Sequence, residues 1–389
     1  MILLKNATVY TPQPAGRKDI LIADRIVAID SDLVVYVPNL NVIDCTGKIA
    51  VPGFIDNHVH IVGGGGEGGF RTRTFEISFS DLVRAGITTV VGCLGTDGVS
   101  RSLEALYAKA KALEEEGVSS YIYVGSYRVP VVTLTGSVIR DLVLIDKVIG
   151  VGEIAISDHR SSQPTLEELK RLAADARIGG MLSGKAGLVN VHVGDGAGML
   201  QPLLEIVKGT EIPVTQFLPT HINRNSRLLN SSIEWLSMGG FIDLTTSVSD
   251  LLDDELLPWR AFQEFLAEGF ESQVTFSSDG QGSLPRFDEK GNFVGLGIGK
   301  VSTLYEQVRL AVEHGTPLEK ALLPITKNVA TILKLRSKGS VRVGMDADIV
   351  LLDQDLNIDT VICGGKILML NKEQLVKGTF ESESSYNCP

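Results

Sequence analysis

Apolar and polar positions follow two regimes along the chain. At the N-terminal end, MILLKNATVY, KDILIADRIVAID and NVIDCTGKIAV alternate apolar and polar residues with turn signals between them, and GSVRVGMDADIVLLD and IDTVICGGKILML do the same at the C-terminal end. This alternation predicts short β-strands. The middle carries continuous apolar runs at Gly53–Asn57, Ile87–Cys93, Tyr121–Ser126, Val148–Ala155, Leu188–Val193, Ile212–Pro219, Phe241–Thr245 and Gln273–Ser277. Between most of them lie amphipathic stretches with charged outer faces, such as Ser100–Glu116, Thr165–Ile178 and Leu257–Glu268; Ser137–Leu144 reads as a shorter helix. Continuous apolar strands alternating with helices predict a parallel sheet covered by helices. Eight such units over roughly 280 residues predict an α/β fold of the (β/α)8 TIM-like barrel type. A doubly wound open sheet would want GxGxxG after an early strand, and that motif is absent there. The terminal segments are too small to fold separately. The expected organisation is a catalytic barrel over 51–335 flanked by a small β-sandwich domain built from 1–50 and 336–389.

Composition narrows the function classes. The chain has 389 residues, 44% hydrophobic and 21% charged, a globular mix that excludes a disordered chain or a coiled coil. Lys+Arg number 36 against 47 Asp+Glu, a formal charge of −11, and no basic run is present. Nucleic acid is not expected as a partner, because phosphate contacts need clustered cations. The longest apolar stretches, such as Gly86–Gly95, are about half of what a membrane span requires. The four scattered cysteines (Cys45, Cys93, Cys363, Cys388) form no CxxC pair and are expected to be reduced fillers or surface thiols in a cytoplasmic protein. The polar tail ESESSYNCP is expected to fray.

Candidate chemistry starts from the six histidines. Four fall at or just after the C-terminal end of an apolar run: His58 and His60 in GFIDNHVH, His192 in LVNVHVG and His221 in VTQFLPTH. Two acids join them, Glu153 in IGVGEIAI and Asp279 after VTFSS. In a barrel, strand ends converge on one rim, where active sites are built. A His-x-His pair on a strand points both imidazoles to one face. Four imidazoles with carboxylates over an apolar interior suit Zn²⁺ or a similar divalent ion. His159 and His314 read as structural.

VPGFIDNHVH, followed by an acid on strand four, histidines on strands five and six and an aspartate on strand eight, resembles the amidohydrolase superfamily. GGGGEGGFRTRT, GTDGVSRS, GSYRVP, ISDHRSS, THINRN and SSDGQGSLP, each after a strand, are similar to the isoaspartyl dipeptidase subfamily. The resemblance covers essentially the whole chain. It implies two divalent metal ions, expected to be Zn²⁺: one held by His58, His60 and Asp279, the other by His192 and His221, with a bridging hydroxide as nucleophile. It further implies Asp279 as general acid–base, Tyr127 as donor to the oxyanion, Glu67 on the substrate ammonium, Arg160 and Arg224 on carboxylates, and Thr96 and Ser283 as further polar contacts. The implied substrate is a β-aspartyl dipeptide, and the implied assembly is a homo-oligomer.

One position departs from the better-known pattern. Many such enzymes bridge their metals with a carboxylated lysine on strand four; seven residues before Arg160 stands Glu153, and neither Lys147 nor Lys185 is at that position. A glutamate supplies two oxygens without modification, and bridging by Glu153 is the reading adopted; a mononuclear site is its alternative. Two other functions stay open: hydrolysis of a cyclic amide or N-acyl amino acid on the same scaffold, and a non-catalytic barrel. The Gly-rich stretch Gly280–Gly299 is a candidate lid over the rim.

Overall fold

The computed structural model describes residues 1–247, 253–287 and 293–381. Cys388, nearly all of the tail and the middle of the candidate lid lie outside the described residues. The flanks of that stretch, Ser283–Phe287 and Phe293–Ile298, pair antiparallel.

The chain forms an α/β fold with a curled parallel sheet. Six strands run in sequence order, each hydrogen-bonded to the next: Phe54–Val59, Ile87–Gly92, Ser119–Val124, Val148–Ile156, Leu188–Val193 and Phe217–Thr220. A seventh and an eighth, Ile242–Thr245 and Val274–Ser277, form a parallel pair. Asp243 links the two sets: its buried carboxylate accepts from Asn57 (3.0 Å) on the first strand, Thr220 (2.7 Å) on the sixth and Thr275 (2.7 Å) on the eighth. The segment after the eighth strand returns to the first, where Ser278 N donates to Asp56 (3.1 Å) and His60 N to Gly280 O (2.9 Å). The sixth strand is shorter than the apolar run Ile212–Pro219 predicts. Pro213, with no N–H and a fixed φ, precedes a 3₁₀ turn at Val214–Gln216, so the ladder begins only at Phe217.

Helices cover the outer face, and local signals set their ends. Leu103–Glu116 starts at a Ser102 cap and Val138–Leu144 at a Ser137 cap. Leu166–Ser183 opens with a Thr165–Glu168 capping box and ends at Gly184 in the left-handed region. Their apolar faces join outward-facing strand residues such as Val90, Ile122 and Ile154 in the main core. A separate cluster, including Ile55, Val91, Tyr123, Ile149, Leu188 and Leu218, fills the inner face of the sheet. Val329, Ile332 and Leu333, from and just after the helix Lys327–Ile332, pack into it.

Strands from both chain ends share one nine-stranded sheet. Ile49–Pro52 pairs antiparallel with Ile349–Leu352 and parallel with Ile2–Tyr10. One face of this sheet has its own core of Leu4, Val9, Ile20, Ala50, Ile349 and Leu351.

Candidate active site

Apart from His58, every candidate residue lines one cavity of about 200 Å³ at the C-terminal ends of the parallel strands. His58 is fully buried beside it. The chain geometry that delivers these groups is strained. His221 and Asp279, each just past a strand, take φ of 63° and 51°, the left-handed region that non-glycine residues seldom occupy. Gly152, before Glu153, leaves room that another residue would fill: a Cβ there would lie 2.7 Å from the Asn190 carbonyl oxygen.

Glu153 is the hub. Its Oε1 is 2.6 Å from His192 Nδ1 and 3.1 Å from His221 Nε2, while its Oε2 is 3.4 Å from His58 Nε2 and 3.8 Å from His60 Nε2. Asp279 Oδ1 closes the second half, 3.0 Å from His60 Nε2 and 3.8 Å from His58 Nε2. Burial opposes ionisation of Glu153, but the imidazoles of His58, His192 and His221 outweigh it and hold the carboxyl well below the usual range. Burial, aided by His192, brings His221 down to about 3, leaving it a neutral donor. Neither Lys147 nor Lys185 approaches this cluster: the Lys147 ammonium pairs with Glu114, and Lys185 donates to the carbonyls of Leu142 (2.8 Å) and Ile145 (2.5 Å).

Among the described residues, the buried atoms His58 Nε2, Glu153 Oε2 and Asp279 Oδ1 have no hydrogen-bond partner. Orphaned buried polar atoms are costly, and the two carboxylate oxygens, 3.4 and 3.8 Å from His58 Nε2, could share a cation with it. Their chemistry, imidazole nitrogen with carboxylate oxygen, fits a divalent metal. Among the described residues, two donor groups meet the spacing a metal ion needs: His58, His60, Cys93 and Glu153, and Glu153, His192 and His221.

Around this cluster sits a polar rim. Tyr127 Oη lies 2.9 Å from His192 Nδ1, and burial together with the Glu153 charge keeps the phenol well above its ordinary value, hence neutral. Glu67 accepts from Thr96 (3.0 Å) and Ser283 (3.3 Å) and lies 3.6 Å from Arg160 Nη1. Arg224 donates to the Val193 carbonyl (3.1 Å) and reaches 3.5 Å from His192 Nε2. His159 is exposed, and His314 stacks on Trp259 at 4.1 Å, away from the cluster.

Sequence reasoning passed over two buried residues here. Asp158 takes Arg160 in a fork (Nε 3.0 Å, Nη2 2.7 Å) and contacts His192 Nε2 at 2.9 Å. Burial works against its ionisation, yet these partners hold it far below the ordinary carboxylate range. Cys93 is fully buried beside His60. Asp158 stands in ISDHRSS and was available as an acid beside a candidate arginine; nothing in the sequence around Cys93 marks it.

Comparison with known proteins fits this geometry. The model of the amidohydrolase family matches residues 49–368. The chain belongs to the amidohydrolase family. Two solved structures of a β-aspartyl dipeptidase from Fervidobacterium islandicum AW-1 are similar along nearly their whole length. One, in complex with a β-Asp-Leu dipeptide, is 50% identical with a TM-score of 0.91 and covers 96% of this chain and 97% of its own. The other is 47% identical with a TM-score of 0.89, covering 96% and 98%. These bear out the resemblance to isoaspartyl dipeptidases. Dihydropyrimidinase from Brevibacillus agri, 17% identical with a TM-score of 0.66 over 97% and 96% of the two chains, shares the fold. Among curated amidohydrolase relatives, dihydroorotase from Staphylococcus aureus is 30% identical over 115 residues, 30% of this chain, and the match spans about a quarter (26%) of that protein's length. No helix among the described residues is long and apolar enough to cross a membrane.

Proposed function

We propose that this amidohydrolase is a metal-dependent β-aspartyl dipeptidase. The observation that carries the reading is the cavity wall beside the donor cluster, where the Glu67 carboxylate and the Arg160 and Arg224 guanidinium groups meet, in a chain 50% identical to a β-aspartyl dipeptidase solved with β-Asp-Leu. In this reading the curled sheet closes as a (β/α)8 barrel over 51–335, with a small β-sandwich domain from 1–50 and 336–389. The working form is a cytoplasmic homo-oligomer.

Two divalent ions, zinc by donor chemistry, would be held by His58, His60 and Asp279 and by His192 and His221, with Glu153 as a ligand common to both groups. When bound, such ions acidify water and polarise a carbonyl. The protein's own groups do the rest. Asp279 takes the proton of the attacking water and returns it to the leaving amine. Tyr127, kept neutral, donates to the developing oxyanion. Glu67 receives the substrate ammonium, Arg160 and Arg224 hold its carboxylates as guanidinium forks can, and Thr96 and Ser283 orient Glu67 and the aspartyl moiety. Asp158 keeps Arg160 and His192 in place.

The charge reading is tested with N-acetyl-β-Asp-Leu and with Arg224→Met. A charge-assisted contact is worth about 1.5–3 kcal/mol, so each change should lower kcat/KM at least about tenfold. Undiminished turnover of the acetylated peptide would remove Glu67 from ammonium recognition. The rival reading, a cyclic-amide hydrolase, draws on the partial match to dihydroorotase; such a substrate has no free ammonium for Glu67 to meet.

A further inference from the structure

Cys93 directly follows the second parallel strand, Ile87–Gly92, and is fully buried on the inner face of the sheet. Its Sγ lies 3.8 Å from His60 Nδ1 and 3.7 Å from the Val59 carbonyl oxygen. One donor atom from each of His58, His60, Cys93 and Glu153 falls within 4.8 Å of all the others, and all four residues are buried. Independently, two atoms of those residues, His58 Nε2 and Glu153 Oε2, are buried 3.4 Å apart with no hydrogen-bond partner among the described residues. The thiol thus stands beside polar atoms that could hold a cation.

We propose that Cys93 is a thiolate ligand of the ion held by His58 and His60, making that half of the centre a nitrogen–sulfur–oxygen site suited to a soft divalent metal such as zinc. The proposal rests on the dinuclear reading above and adds a ligand to it. Imidazole, thiolate and carboxylate are all ordinary zinc donors, and a thiolate favours zinc over magnesium, calcium or manganese. On coordination a metal–sulfur bond forms and the thiol proton passes to solvent. The competing role for Cys93 is an outer one, a hydrogen bond to His60 Nδ1 that orients the ring without touching the ion.

Cobalt substitution separates the two. Apo-protein loaded with Co²⁺ should show a thiolate-to-cobalt charge-transfer band in the near ultraviolet. Cys93→Ser should lose that band and bind one of its two ions more weakly than the parent, by about tenfold or more, the least expected for disturbing a metal's surroundings. X-ray absorption at the zinc edge of the wild-type protein needs no variant and should give one sulfur neighbour per two zinc ions at about 2.3 Å. Wild-type protein that binds two ions and cleaves β-Asp-Leu, yet shows neither the band nor the sulfur neighbour, overturns this proposal and leaves the dipeptidase reading intact. Persistence of the band in Cys93→Ser overturns it as well, by moving the thiolate elsewhere. Failure to bind any ion overturns the metal reading and this ligand together.

Discussion

In the proposed mechanism Asp279 carries the proton; it lies past the last parallel strand, with its Oδ1 3.0 Å from His60 Nε2. General acid–base groups contribute about 10²–10⁴-fold. Asp279→Asn is therefore expected to lower kcat by that factor while retaining metal, as read by steady-state kinetics beside elemental analysis; near-normal kcat with both ions bound would reassign the proton transfers. Glu153 leads to a second expectation at this scale. It reaches His58, His192 and His221 with its own oxygens, and Lys147 and Lys185 are engaged elsewhere. Reconstitution of apo-protein with metal should then recover the same activity with and without bicarbonate. A large bicarbonate requirement would mean that a carboxylated lysine takes part.

Elements show where stability comes from. In the terminal sheet, Asp19 on the strand Pro14–Ile22 is buried and accepts from Lys5 Nζ (2.6 Å), Asn6 N (2.8 Å) and Leu33 N (2.8 Å). Burial opposes its charge, but these donors outweigh burial and hold the carboxyl below its ordinary 3.8. A lowered folded-state pKa means that the stabilisation is complete above the unfolded value and is lost as pH falls through the folded one. Asp19→Asn should cost about 1.5–3 kcal/mol near neutrality, and the gap to wild type should close as the pH drops below 3.8. Chemical denaturation across pH reads this; a gap independent of pH would show that the carboxylate's charge is not what these contacts use. The helix starts were legible because capping is local: Ser102, Ser137 and Thr165 each accept from a backbone N–H three residues on. The sixth strand was overextended because an apolar run cannot by itself tell a ladder from the 3₁₀ turn that Pro213 imposes.

At the scale of the whole molecule, the parallel strands place their C-terminal ends around one cavity, and this was the most legible part of the site. His58, His60, Glu153, His192, His221 and Asp279 could be picked out as candidates because histidines and acids on or just after the first, fourth, fifth, sixth and eighth strands form a pattern along the chain. Asp158 and Cys93 lacked such a pattern, since what matters about them is contact with His192 and His60, residues 34 and 33 positions away. The shared sheet of the two chain ends was foreseeable from their size, but its order, with Ile49–Pro52 between Ile2–Tyr10 and Ile349–Leu352, depends on packing that only the fold supplies. On the proposed function, this cavity takes one ammonium, two carboxylates and a carbonyl displaced by one methylene from its position in an ordinary peptide. Correct placement of the reacting carbonyl is a large part of catalysis. The most direct measurement is kcat/KM for β-Asp-Leu, α-Asp-Leu and dihydroorotate on the same zinc-loaded preparation. β-Asp-Leu should exceed each of the others by at least about tenfold, the loss expected from one misplaced charge-assisted contact. Equal or faster turnover of α-Asp-Leu or dihydroorotate would contradict the proposed function.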